Sequence, residues 1–263
     1  MTTDTHTPAH PGTAWLPSGP PASGGPRLFC LPNAGASATV YAGWRRHAQG
    51  GVQICPVQLP GRAERFAEPP YDRAEPLVDA LLDAIGDHFT GDYALFGHSM
   101  GAVVAFELAR RLETDGRTPP AHVFVSGRAA PHLAEPNRAL RDLPLDALIA
   151  ELRVIGGTPE EILHERELME RLQVLLRADF AVNETYRCSV DEPIAAPLTV
   201  FGGDRDPRAT VASLHAWQPL TTGPFEVRVH PGGHFYLTDR LPELVGLLSR
   251  FARPTKETPE VQP

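Results

Sequence analysis

The sequence predicts an α/β protein built on a mostly parallel, doubly wound sheet, and three observations predict it. Short apolar runs (RLFCL, VQICPV, YALFG, HVFVSG, LTVFGG and FEVRVH) recur along the chain, and unbroken apolar runs of this length suit strands covered on both faces. Helix-like segments separate most of them, which is the order of parallel strands joined by crossover helices. The length of 263 residues exceeds the usual domain of about 100 to 150, yet single α/β cores reach it. One domain carrying an insertion is therefore expected.

Residues 1–26 are rich in Thr, Pro, Ser and Gly, with Trp15 and Leu16 as the one large apolar pair. They read as a disordered arm that Trp15 can pin, and residues 255–263 read as a flexible tail. The domain is expected over 27–254. Its first run ends in LPNAGAS, residues 31–37, a loop of small residues. The third, YALFG, passes through GHSMG into an apolar helix that ends before Gly116.

Ser99 stands between Gly97 and Gly101 at that junction. A nucleophile elbow turns so sharply from strand to helix that it needs small residues two positions either side. The same spacing suits a serine that caps the helix.

Residues 129–193 break the alternation: they contain no convincing strand but several helical patterns, and read as an insertion above the sheet. Thr158, Pro159 and Glu161 fit an N-cap, a first-turn proline and the returning acid of a capping box. Beyond them Leu168, Leu172, Leu175, Leu176 and Phe180 recur at helical spacing. That apolar face serves core packing or lines an acyl channel. Asn183-Glu184-Thr185 matches a glycosylation sequon, although no secretory leader accompanies it.

The fifth run leads to a loop with Asp204 and Asp206, and the sixth to one with His230 and His234. Both loops follow a strand's C-terminal end, where open α/β sheets place their sites. His234 follows two glycines that let the loop carry its ring over the serine, whereas His230 still lies at the strand's end. His98 reads as a structural neighbour. The order serine, acid, histidine is the one an elbow serine uses. A hydroxyl attacks a carbonyl only if a neutral imidazole removes its proton, and a carboxylate fixes that imidazole's tautomer.

The formal charge of −8 argues against a nucleic-acid partner, which demands a concentrated basic surface. No stretch approaches 18 apolar residues and no basic-then-apolar leader opens the chain. Cys30, Cys55 and Cys188 lack zinc-ligand spacing and read as small residues of a reducing cytosol. A cytoplasmic protein without membrane attachment or metal is expected.

Together LPNAGASA, VQLPGRAERF, GHSMGA, LRADF, FGGDRDP and PGGHFYL resemble, in this order, the stand-alone type II thioesterases that serve polyketide and nonribosomal peptide synthases. The resemblance runs from about Trp15 to about Ala252 and implies the α/β-hydrolase fold, with the insertion as a helical lid. It implies Ser99 as nucleophile, Asp206 as orienting acid and His234 as base, with the N–H groups of Met100 and Ala34 as the oxyanion hole. Asn33 stands where the family more often carries histidine. The implied reaction clears acyl thioesters from the phosphopantetheine arm of acyl or peptidyl carrier proteins. The arm belongs to the partner, so no cofactor of the enzyme's own is implied, and a monomer is expected. A general esterase or acyltransferase would use the same acyl-enzyme, and a non-catalytic carrier-binding protein could keep the fold. Carrier proteins are usually acidic, so Arg62, Arg166, Arg171 and Arg177 are candidates for a docking patch; the lid arginines can equally pair with Glu167 and Glu170 along a solvated helix.

Overall fold

The computed structural model describes residues 14–133 and 139–252. The first half of the expected arm and the whole of the expected tail, 255–263, lie outside the described residues.

All six apolar runs are strands: β1 (Arg27–Leu31), β2 (Gln53–Pro56), β3 (Tyr93–His98), β4 (His122–Ser126), β5 (Leu198–Gly203) and β6 (Phe225–His230). They form one parallel sheet in the order β2-β1-β3-β4-β5-β6. The helices are α1 (Ala74–Ile85), α2 (Met100–Thr114), α3 (Leu145–Ile155), α4 (Glu160–His164), α5 (Arg166–Thr185), α6 (Val211–His215) and α7 (Leu241–Leu248).

Side chains alternate across a strand, so each run feeds two cores. Phe29, Leu31, Leu95, Val123, Val125 and Val200 pack with the apolar faces of α1 and α2. Leu28, Cys30, Ala94, Phe96, Phe124 and Phe201 pack with Tyr41, Trp44 and α7. Only β6, at the sheet's edge, is largely unburied, and its apolar-polar alternation, FEVRVH, matches that position.

The strand order positions the site. From β1 the chain moves outward to β2, whereas from β3 it moves the other way to β4. The loops after β1 and β3 therefore diverge and leave a crevice beyond the strands' C-terminal ends.

Within residues 14–26 Trp15 is the anchor: Trp15 and Leu16 are buried, the Arg65 guanidinium lies 4.3 Å over the Trp15 ring, and the Gln58 N–H donates to the Trp15 carbonyl at 2.8 Å, while residues 17–20 and 22–25 are exposed. The Gln53 side chain holds Ala22 and Gly24 beside β2. The capping box does not form, because Pro159 is extended (φ −56°, ψ 142°) and α4 starts one residue later with no side-chain cap. The sequon is unusable, since Asn183 is buried within α5.

The insertion between β4 and β5 has its own core of Leu140, Leu143, Leu148, Leu152, Leu163, Met169, Leu176 and Phe180. Cys30 and Cys55 are free thiols of the main cores, and burial pushes Cys55 up to about 11. Among the described residues no helix is long and apolar enough to cross a membrane.

Candidate active site

Ser99 stands at the N-cap position of α2 with φ 55°, ψ −114°, but its hydroxyl makes no capping bond. A non-glycine residue held at positive φ costs about 1–3 kcal/mol and persists where its surroundings enforce it. Here they do so by close approach: a Cβ on Gly97 would sit 1.8 Å from the Gly101 oxygen, and one on Gly101 would sit 2.1 Å from the Leu31 oxygen. The Ser99 N–H is tied to the Ser126 carbonyl at 2.8 Å. Its hydroxyl is thereby carried to the crevice between the ends of β1 and β3.

The loops after β5 and β6 are laced together. Arg205 donates its N–H to the Gly232 oxygen at 2.9 Å, and Gly232 donates its own to Asp204 Oδ1 at 2.8 Å. Asp204 itself is exposed. Asp206 is buried, accepts the Arg208 N–H on Oδ1 at 2.9 Å, and meets His234 Nδ1 with Oδ2 at 2.8 Å. A carboxylate has no proton to give, so Nδ1–H is the donor and Nε2 carries the free lone pair. His230 instead stacks between Phe201 and Tyr236.

Of the two expected oxyanion donors, Ala34 lines the cavity that Ser99 lines, and Met100 is the residue after Ser99. Met100 opens α2, and the first N–H groups of a helix have no intrahelical partner. Ala34 lies in a turn closed by Ala36 N–H on the Asn33 carbonyl at 3.1 Å, and its own N–H makes no hydrogen bond among the described residues. Ser99, His234, Asn33 and Ala34 line one cavity of about 630 Å³. Leu152, Ile155, Met169, Leu172, Leu176 and Phe180 form its apolar wall, so the insertion's helical face both packs and lines a channel.

His98 is indeed a structural neighbour. Its Nδ1 meets Ser126 Oγ at 2.9 Å, and that hydroxyl meets Tyr236 Oη at 2.7 Å. Burial, and then the charge of His234, hold its pKa well below the usual imidazole value.

The proposed docking arginines are mostly spoken for. Arg62 is only 4 % exposed and makes a two-pronged ion pair with Asp179, 2.8 Å on each arm. Arg177 donates to the Arg141 and Leu143 carbonyls. Arg166 pairs with Asp146 at 2.7 Å and Glu170 at 3.3 Å. Arg171 alone is exposed and without a partner among the described residues. Sequence reasoning missed Asp179, 117 residues from Arg62; a charge at a helical position facing an apolar stripe was the available signal.

A six-stranded parallel sheet with an elbow at its switch point and a helical insertion between β4 and β5 defines an α/β hydrolase. Residues 26–252 match the Thioesterase domain family. The chain belongs to that family and is a thioester hydrolase.

The solved structure of RedJ, a thioesterase from the prodiginine pathway of Streptomyces coelicolor, is 39 % identical with a TM-score of 0.80, covering 91 % of this chain and 93 % of that one. BorB, a type II thioesterase from the borrelidin cluster, is 36 % identical with a TM-score of 0.81, covering 89 % and 96 %. A Brevibacillus parabrevis protein named linear gramicidin dehydrogenase LgrE is 40 % identical over 224 residues, 84 % of this chain and 85 % of its own. Among the described residues no group of three His, Cys, Asp or Glu side chains is placed to hold a metal.

Proposed function

We propose that this chain is a stand-alone type II thioesterase that hydrolyses acyl groups from the phosphopantetheine arm of acyl or peptidyl carrier proteins. The observation that carries this reading is the buried His234–Asp206 pair at 2.8 Å, whose His234 lines one largely apolar cavity with Ser99 and Ala34.

The residues have distinct tasks. His234 Nε2 takes the Ser99 proton as Oγ attacks the thioester carbon. Negative charge develops on the carbonyl oxygen, where the Met100 and Ala34 N–H groups receive it; such a donor contributes about 3–4 kcal/mol to the transition state. Collapse breaks the C–S bond, and the imidazolium returns its proton to the departing thiol. Water, deprotonated by the same nitrogen, then attacks the acyl-Ser99 ester and releases the acid. Asp206 holds the Nδ1 proton and stabilises the imidazolium without being protonated itself.

The insertion works as a lid whose apolar face receives the acyl group, while the carrier's polar arm reaches Ser99 from outside. RedJ and BorB come from biosynthetic pathways, and by analogy with them this chain clears stalled or wrongly loaded carriers as a cytoplasmic monomer. The test compares one acyl group on a carrier protein and on a simple alkyl ester. Preference for the carrier by kcat/KM supports the reading, and preference for the ester supports a general esterase.

A further inference from the structure

Two stretches of the sequence, LPGR and LRADF, contribute no residue to the proposed triad. The fold joins them. Arg62 of the first and Asp179 of the second form a buried pair, and the pair touches the loop that presents Ala34. Asp179 Oδ2 accepts the Gly35 N–H at 2.7 Å, in addition to Arg62 Nη1 at 2.8 Å. Arg62 Nη1 also reaches the Ala36 carbonyl at 3.3 Å, and its Nε reaches the Pro60 carbonyl at 3.1 Å. The Ala34–Gly35 and Ala36–Ser37 peptide groups are thus held by one salt bridge anchored in α5.

The contact is tight as well as polar. Gly35 has φ +74°, and a Cβ there would sit 2.8 Å from Leu176 of α5. Positive φ at the third residue of a turn favours glycine, and here the helix overhead also leaves little room for a side chain. The turn cannot shift without moving α5 or stripping Gly35 of its acceptor. Asp179 is nine-tenths or more buried. Burial pushes its carboxyl above the usual carboxylate range, opposed in part by the Arg62 charge and hydrogen bond and by the Gly35 N–H.

We propose that Asp179 is a positioning residue for the oxyanion hole: it fixes the Ala34–Gly35 peptide so that the Ala34 N–H faces the developing charge, with Arg62 as its counter-ion. The hole is thereby built partly from the insertion, and α5 must be seated for catalysis. This rests on the proposed role of Ala34, and the experiment separates the two.

In Asp179→Asn one side-chain oxygen becomes an NH₂ group, which must face either Arg62 or the Gly35 N–H as a second donor. Removing one oxyanion donor costs about 10²–10³ in kcat, and displacing one costs part of that. A short acyl-pantetheine thioester is the substrate, so carrier docking does not enter. Expected is a fall in kcat of about 10- to 100-fold with KM nearly unchanged. Affinity for the matching trifluoromethyl ketone, which becomes a tetrahedral adduct on Ser99, should fall by a similar factor, while affinity for the non-hydrolysable thioether stays as in wild type.

Because Asp179→Asn strands a buried charge, the double variant Arg62→Met/Asp179→Leu serves as control. Apolar replacement of a buried pair commonly preserves stability, so this variant should melt near the wild type and still lose kcat. Wild-type kcat in either folded variant, or equal weakening of ketone and thioether, overturns the assignment. If Ser99→Ala keeps full activity, the reading of the site itself fails; if only Ser99→Ala is inactive, the positioning role alone fails.

Discussion

The rings of His98 and His234 lie 4.9 Å apart, tilted by 45°, and of the two only His234 has a carboxylate partner. His98 has the Ser126 hydroxyl instead, and burial and the charge of His234 hold its pKa well below the usual imidazole value. In the proposed mechanism a charged His98 would repel the proton that His234 carries between attack by Ser99 and release of the thiol.

Acid should therefore destabilise the fold. Burial lowers the pKa of His98, of His230 and of His122, the last to about 4. For each, the unfolded chain binds protons first as pH falls below about 6.5, so stability is full above that value and is lost toward the folded pKa. The slope is at most about 1.4 kcal/mol per pH unit for each histidine. Urea unfolding at pH 7, 6 and 5 measures it, and His122→Gln should flatten it; an unchanged slope would contradict this origin.

The loops after β5 and β6 each offer two candidates, and the geometry ranks them. Asp206→Asn should lower kcat by up to about 10⁴, because the amide turns the His234 tautomer the wrong way. Asp204→Asn keeps an oxygen for the Gly232 N–H and should cost little. His234→Ala should be as severe as losing Ser99, whereas His230→Ala removes only a stacked ring. Steady-state kinetics on folded variants decides, and the reverse order in either pair would show that the wrong partner was chosen.

Acyl length should be set by the insertion. Met169 and Leu172 of α5 line the cavity, so Leu172→Trp should leave acetyl turnover almost intact and lower kcat/KM for a longer acyl group about tenfold or more, as expected for lost apolar room of several methylenes. Equal loss for both lengths would place the acyl group elsewhere.

Strands and elbow were legible because their signals are local. A buried parallel strand is an unbroken apolar run, and the close backbone approach at Gly97 and Gly101 leaves glycine as the mark. That an acid of the loop after β5 meets a histidine of the loop after β6 was legible from the order of the loops, and Asp206 over Asp204 from the resemblance. Trp15 was legible as the anchor of residues 14–26, but its partners were not, because Arg65 and Gln53 meet this segment from positions distant in sequence. Nor was the Arg62–Asp179 pair: nothing local distinguishes a buried arginine from one on the surface, and the docking patch inferred from four arginines reduces to Arg171. The capping box failed over one extended residue, Pro159.

The central claim is that the acyl group passes through Ser99. Wild-type protein and Ser99→Ala are mixed with an acyl-carrier protein, quenched in the first turnover, and their intact masses read. The wild type should gain the mass of one acyl group, mapped to Ser99, and then release it as free acid. Ser99→Ala, with melting unchanged because a small residue suits the elbow equally well, should gain nothing and hydrolyse nothing. Wild-type turnover by the folded Ser99→Ala protein would contradict the mechanism.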